Sequence, residues 1–253
     1  MVDLIATDEQ SQIASSIAAF LAEEMPLSRL TSRRGPEDTD HRFFKPMAEL
    51  GWFGLGLLED AGGVGYGAVE EALLFRELGR VLAPPATLAT TLAAHASTGD
   101  AALRARLLAG EASAAVAVPV GLAQGPTFKG RFQVFEADAV SHVLLLASDA
   151  AAVVPLESLG ALTPGASADD ALRLDLAEVD GVAATVTGDA AGAIWRRAKL
   201  LSAAMLAGVC EATRNIASEY AKVRHQFGQP IGVFQAVKHK CSDMAIRADA
   251  VNA

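Results

Sequence analysis

At 253 residues, with 51% hydrophobic and 20% charged side chains, the chain has ample interior for one large domain or two modest ones and is not a disordered composition. A net charge of −9 argues against general binding to nucleic acid or to an anionic membrane surface, so a phosphorylated ligand would need a local basic patch. Cys210 and Cys241 suit neither a disulfide framework nor a CxxC metal site, and they read as reduced packing residues of a cytoplasmic protein. The opening MVDLIATDEQ lacks the basic start and apolar core of a secretory signal, and apolar runs such as Val143 to Ala147 are too short to span a bilayer.

Residues 7 to about 110 carry helical periodicity. Thr7 and Gln10 form a capping box ahead of a stripe made by Ile13, Ile17, Phe20 and Leu21, and Pro26 follows the end of that helix. A short helix is predicted over Asp40 to Leu50, closing at Gly51, and a third over Ala68 to Val81. Beyond Pro84-Pro85, two more cover Ala86 to Ala96 and Asp100 to Leu108, with Gly110 as the stop. From 111 to 188 the signal changes to short strands at Ala114 to Val118, Arg131 to Phe135, Val140 to Ala147 and Ala183 to Val186, divided by turn residues. They predict a small sheet or partial barrel.

From 189 onward helix returns. Ile194, Ala198, Leu201, Met205, Gly208, Ala212, Ile216 and Tyr220 recur at three- and four-residue steps. Gly228-Gln229-Pro230 breaks the run, and a second helix places Phe234, Val237, Cys241, Met244, Ala248 and Val251 inward. The expected fold is therefore α+β: an N-terminal helical domain (1–110), a small middle β domain (111–188) and the first two helices of a C-terminal helical bundle (189–253). Such a hairpin exposes an apolar face that further helices or a partner must cover.

The segment Tyr220-Ala-Lys-Val-Arg-His-Gln-Phe-Gly-Gln-Pro-Ile-Gly-Val-Phe-Gln-Ala-Val-Lys-His gathers Arg224, Gln226, Phe234 and Gln235 at a helix junction, where arginine can clamp a phosphate and a helix N-terminus favours an anion. It resembles the acyl-CoA dehydrogenase pattern in which one helix ends in R-x-x-F-G-x-P-I and the next opens with F-Q. Gly51-Trp-Phe-Gly-Leu, Glu59-Asp-Ala-Gly-Gly-Val-Gly, Arg76-Glu-Leu-Gly-Arg and Leu82-Ala-Pro-Pro extend the likeness through the N-terminal half. The resemblance implies an FAD-dependent enzyme subunit that removes two hydrogens from the α and β carbons of an acyl-CoA thioester, acting in a homo- or hetero-oligomer. It also implies flavin contacts from Arg224, His225, Gln226, Phe234 and Gln235, made to FAD held mainly by the neighbouring subunit.

Departures from that pattern define a second reading. The family's T-E-P-x-A-G-S-D and W-I-T/S-N stretches are missing, and the corresponding region is Ala117-Val-Pro-Val-Gly-Leu-Ala-Gln-Gly. Where some members carry the catalytic glutamate this chain has Ala198, and where many have an arginine it has Lys199, so no catalytic base is assigned. These features suit a short or degenerate subunit of a hetero-oligomer or an N-terminal fragment, with a non-catalytic scaffold subunit as the alternative. Other motifs read as structure: Gly63-Val-Gly-Tyr-Gly-Ala matches a dinucleotide fingerprint without the strand it needs, His239 and Cys241 face apart on a helix, Arg33-Arg34 and Arg196-Arg197 read as solvated pairs, and Glu70-Glu71 as an exposed helix face.

Overall fold

A computed structural model describes residues 6–32, 41–121, 126–169 and 172–252. The capping box forms as read: the Thr7 hydroxyl accepts from the Gln10 N–H, the Gln10 side chain accepts from the Thr7 N–H, and α1 (Asp8–Glu24) follows with Ile17 and Leu21 buried. The second helix is shorter than its sequence suggested. Asp40 lies outside the described residues, a 3₁₀ turn occupies His41–Phe43, and α2 runs only from Phe44 to Glu49. Next come α3 (Ala68–Arg80), α4 (Pro85–Ala96) with proline in its first turn, and α5 (Ala101–Leu108), where Asp100 accepts from the Leu103 N–H.

The middle region forms a seven-stranded sheet in the order β5-β6-β2-β1-β3-β4-β7. Its strands are β1 (Ala114–Pro119), β2 (Thr127–Phe135), β3 (His142–Leu146), β4 (Ala150–Pro155), β5 (Thr163–Pro164), β6 (Leu174–Ala183) and β7 (Val186–Thr187). Among the described residues, only the β1–β3 pair is parallel. The two-residue β5 had no sequence signal, and the longer β4 and β6 escaped the pattern for a common reason, low β propensity. β4 opens with three alanines, and β6 carries Asp175, Glu178, Asp180 and Gly181. Period two is nonetheless present in β6, with Asp175, Ala177 and Val179 buried and Glu178 and Asp180 exposed. The run expected at Ala183 to Val186 straddles the end of β6 and the start of β7. Phe128, Phe132, Val134, Val143, Leu145 and Val179 form the core, with the rings of Phe128 and Phe132 edge-on at 5.9 Å.

Beyond the sheet, α6 (Gly188–Val223) and α7 (Gln235–Asn252) close the element order. The inward stripe expected on α7 is only partly realised: Ala248 is buried, Phe234, Val237, Cys241 and Met244 are half-buried, and Val251 is exposed. The chain divides into two units, one formed by residues 1–26, 72–82 and 203–253 and the other by 27–71 and 83–202. In the first unit, α3 and α6 cross at backbone contact. A Cβ on Gly79 would fall on the Met205 carbonyl, and one on Gly208 would fall on the Arg76 carbonyl. Arg76 and Arg80 both pair with the buried Glu211 beside this crossing. Among the described residues no helix is long and apolar enough to cross a membrane.

Candidate functional site

The junction of α6 and α7 is more ordered than the plain break expected at Gly228-Gln229-Pro230. The Arg224 N–H donates to the Tyr220 carbonyl, closing α6, and the Arg224 carbonyl accepts from the Ile231 N–H at 2.7 Å. Between these bonds β8 (His225–Gln226) pairs antiparallel with β9 (Gln229–Pro230), matching His225 to Pro230 and Gln226 to Gln229. Phe227 and Gly228 make the turn with φ of 53° and 77°, the sign pattern of a type I′ hairpin, whose preferred residues are Asn-Gly. A phenylalanine in the left-handed region is strained, and its ring is 92% exposed. Its ring contact is with Phe234, edge-on at 6.0 Å.

This hairpin and the first turn of α7 bring the sequence-derived residues together. Arg224 is exposed, with no side-chain partner among the described residues. His225, itself exposed, donates Nδ1–H to the Val223 carbonyl at 3.0 Å, and the Gln226 amide donates to the His225 carbonyl at 2.8 Å. Gln235 opens α7 and is exposed, as are Lys238, His239 and Lys240. Basic side chains are thus close in sequence to this junction of an acidic chain. Phe227 is the residue the sequence reading left out; its signal was a Phe-Gly pair where a hairpin prefers Asn-Gly.

Two other expectations are corrected or refined in the second unit. Glu71 is not part of an exposed face: it has no solvent exposure. Its Oε1 accepts from the Gly56 N–H at 3.2 Å and from His95 Nε2 at 2.9 Å, while Oε2 accepts from Arg197. Burial pushes the Glu71 pKa up, but the hydrogen bond and charge of His95, with Arg197, outweigh it and hold the carboxyl below its ordinary value. Arg197 is accordingly an interior partner, whereas Arg196 is exposed; Arg33-Arg34 lies outside the described residues. Ala198 is half-buried and Lys199 exposed on α6. Gly63 sits in a loop between a 3₁₀ turn at Glu59–Ala61 and α3, with no strand before it. The strand β1 ends at Pro119 and β2 begins at Thr127; Leu122–Gly125 between them lie outside the described residues.

Residues 7–115 match the acyl-CoA dehydrogenase N-terminal domain and residues 191–253 match its C-terminal domain. The chain belongs to the acyl-CoA dehydrogenase family. It is 34% identical over 221 residues to acyl-CoA dehydrogenase FadE34 of Mycobacterium tuberculosis, covering 85% of this chain but 31% of that protein. It is 30% identical over 249 residues to acyl-CoA dehydrogenase IpdE2 of the same organism, covering 95% of this chain and 71% of IpdE2. The chain therefore spans about a third of one such relative and most of another.

Among solved structures, the ChsE4-ChsE5 complex from Mycobacterium tuberculosis superimposes with a TM-score of 0.79 at 22% identity, over 99% of this chain and 77% of that one. An acyl-CoA dehydrogenase complexed with FAD from Bacillus anthracis gives a TM-score of 0.76 at 18% identity, over 100% of this chain and 52% of that one. At these identities the structures speak for the fold. They agree with the α+β organisation of N-terminal helices, a middle sheet and C-terminal helices.

Proposed function

We propose that this chain is an acyl-CoA dehydrogenase-like subunit that completes a flavin site in an oligomer devoted to α,β-dehydrogenation of an acyl-CoA thioester. The observation that carries the reading is the β8–β9 hairpin, with Arg224, which has no side-chain partner among the described residues, at its base and a strained, exposed Phe227 in its turn. That donor set suits FAD: a guanidinium for a diphosphate, the exposed Gln226, Gln235 and His225 side chains for polar groups, and the Phe227 and Phe234 rings for an aromatic surface. A bound flavin supplies the ring that accepts hydride from the substrate's β carbon. The chain's own residues hold and orient; none of them is assigned the α proton, since Ala198 has no group to take it.

Three observations favour a partner chain that differs from this one. The segment joining β1 to β2 lacks the family's flavin-holding stretches, Ala198 replaces a carboxylate, and the similar ChsE4 and ChsE5 are solved as a complex. The exposed Leu206, Ile216, Tyr220 and Val223 of α6 and Val251 of α7 offer an apolar surface for such an assembly. A scaffold subunit without flavin contacts is the competing reading, favoured by the same replacement at Ala198.

Co-expression with acyl-CoA dehydrogenase-like partner chains, followed by gel filtration with absorbance read at the flavin band, tests the proposal. Flavin co-eluting with an assembly that contains this chain is the expected result. A colourless assembly supports the scaffold.

A further inference from the structure

Glu71 is a fully buried carboxylate that no part of the proposed function uses. Such a group is costly to bury unless several donors meet it. Here three do, each from a different segment: the Gly56 N–H, His95 at the end of α4, and Arg197 in the opening turns of α6. Space has been made for it, because a Cβ on Gly56 would collide with the Glu71 carboxyl group. The side chains of His95 and Arg197 are themselves largely buried, 10% and 24% exposed. Arg197 immediately precedes Ala198 and Lys199 on α6.

Resting on the function proposed above, we propose that Glu71 is a positioning residue for the start of α6: by gripping Arg197 it fixes the rotation of the helix segment that carries Ala198 and Lys199, the positions where the family pattern sets a catalytic glutamate and an arginine. A helix can rotate and slide at small cost where its side chains are small, and the turn ahead of this segment is built from Ala190, Ala191, Gly192 and Ala193. A charge-assisted bond to one buried oxygen removes that freedom. The charged groups facing Glu71 are His95 from α4 and Arg197 from α6, so the grip depends on an ionised carboxylate. Glu71→Gln keeps shape and the acceptor for Gly56 while removing the charge. Arg197→Lys keeps the charge while removing the planar fork.

The test uses the flavin-bearing assembly, with hydrogen exchange and acyl-CoA titration of the flavin spectrum as paired readouts. In Glu71→Gln the amides of residues 195–202 should exchange about tenfold faster while those of β1 and β3 stay unchanged, and acyl-CoA affinity should fall roughly tenfold with flavin content intact. Arg197→Lys, which keeps the charge, should show a smaller part of both effects. Should Glu71→Gln fail to fold, lowering the pH of the wild-type assembly below 4.5, the ordinary glutamate value, should loosen residues 195–202 before the sheet. Exchange that rises equally in the sheet, or acyl-CoA affinity that stays put, overturns the proposal while leaving the flavin reading intact. A wild-type assembly without flavin overturns both.

Discussion

The middle sheet and the α6–α7 hairpin use their side chains in opposite ways. In the sheet, Phe128, Phe132, Val134, Val143 and Leu145 are buried, and surface charges are matched across strands as Lys129 with Asp180 and Arg131 with Glu178. In the hairpin, Leu206, Ile216, Tyr220, Val223 and Phe227 are exposed, Arg224 has no partner among the described residues, and Phe227 is held at a φ of 53°. One region turns its large apolar side chains inward; the other offers them, with Arg224, to something else. Under the proposed function, that contrast assigns flavin contact to the hairpin and stability to the sheet and helix crossings.

Substitutions can break or sharpen this contrast. Phe132→Ala empties a fully buried site in the sheet and should cost about 3–5 kcal/mol in chemical denaturation. Next comes Gly208→Ala, which forces a methyl group onto the Arg76 carbonyl and should cost roughly 1–3 kcal/mol as α3 and α6 are pushed apart. A loss as large as this at any exposed hairpin residue would erase the contrast.

A smaller effect separates two buried glutamates of α3 by pH. Glu71 has its pKa lowered, so its stabilisation is present above the unfolded value and is lost as pH falls through the folded one. Glu77 has its pKa raised, by burial against the weaker pull of Arg80 and Arg76, so its ionised form opposes folding and that cost is relieved as pH falls. The fall of melting temperature with acidification should therefore flatten below pH 4.5 in Glu71→Gln relative to the parent and steepen just above pH 4.5 in Glu77→Gln. Identical slopes in all three would count against both assignments. The smallest change in stability belongs to Phe227→Asn, which suits a type I′ turn and should leave stability unchanged or raise it by up to about 1 kcal/mol. The same substitution should weaken flavin retention, which is what separates a functional strain from an incidental one.

Much of this was legible in the chain because local rules agree with the fold. Thr7 and Gln10, Asp100, Pro85 and Gly110 punctuate helices where their backbone chemistry requires, and the Tyr220–His239 pattern carries the family likeness in consecutive residues. What escaped depends on neighbours remote in sequence. β4 and β6 are strands because their partners make them so, despite alanine and acidic residues that disfavour the state. Glu71 reads as a surface residue beside Glu70 until α4 and α6 bring His95 and Arg197 to it. Phe227 reads as a hydrophobic residue before a glycine until the two-residue turn shows that its ring has nowhere to bury.

Arg224→Ala tests the central claim most directly, because the residue follows the last turn of α6 and bears on no core. In an assembly that carries flavin, the variant should melt within about 0.5 kcal/mol of the parent, as exposed substitutions do, and lose flavin on gel filtration. The weakening should be roughly tenfold to a hundredfold, the worth of one charge-assisted bond. Retention equal to the parent, measured by absorbance at the flavin band across the eluting peak, would contradict the account.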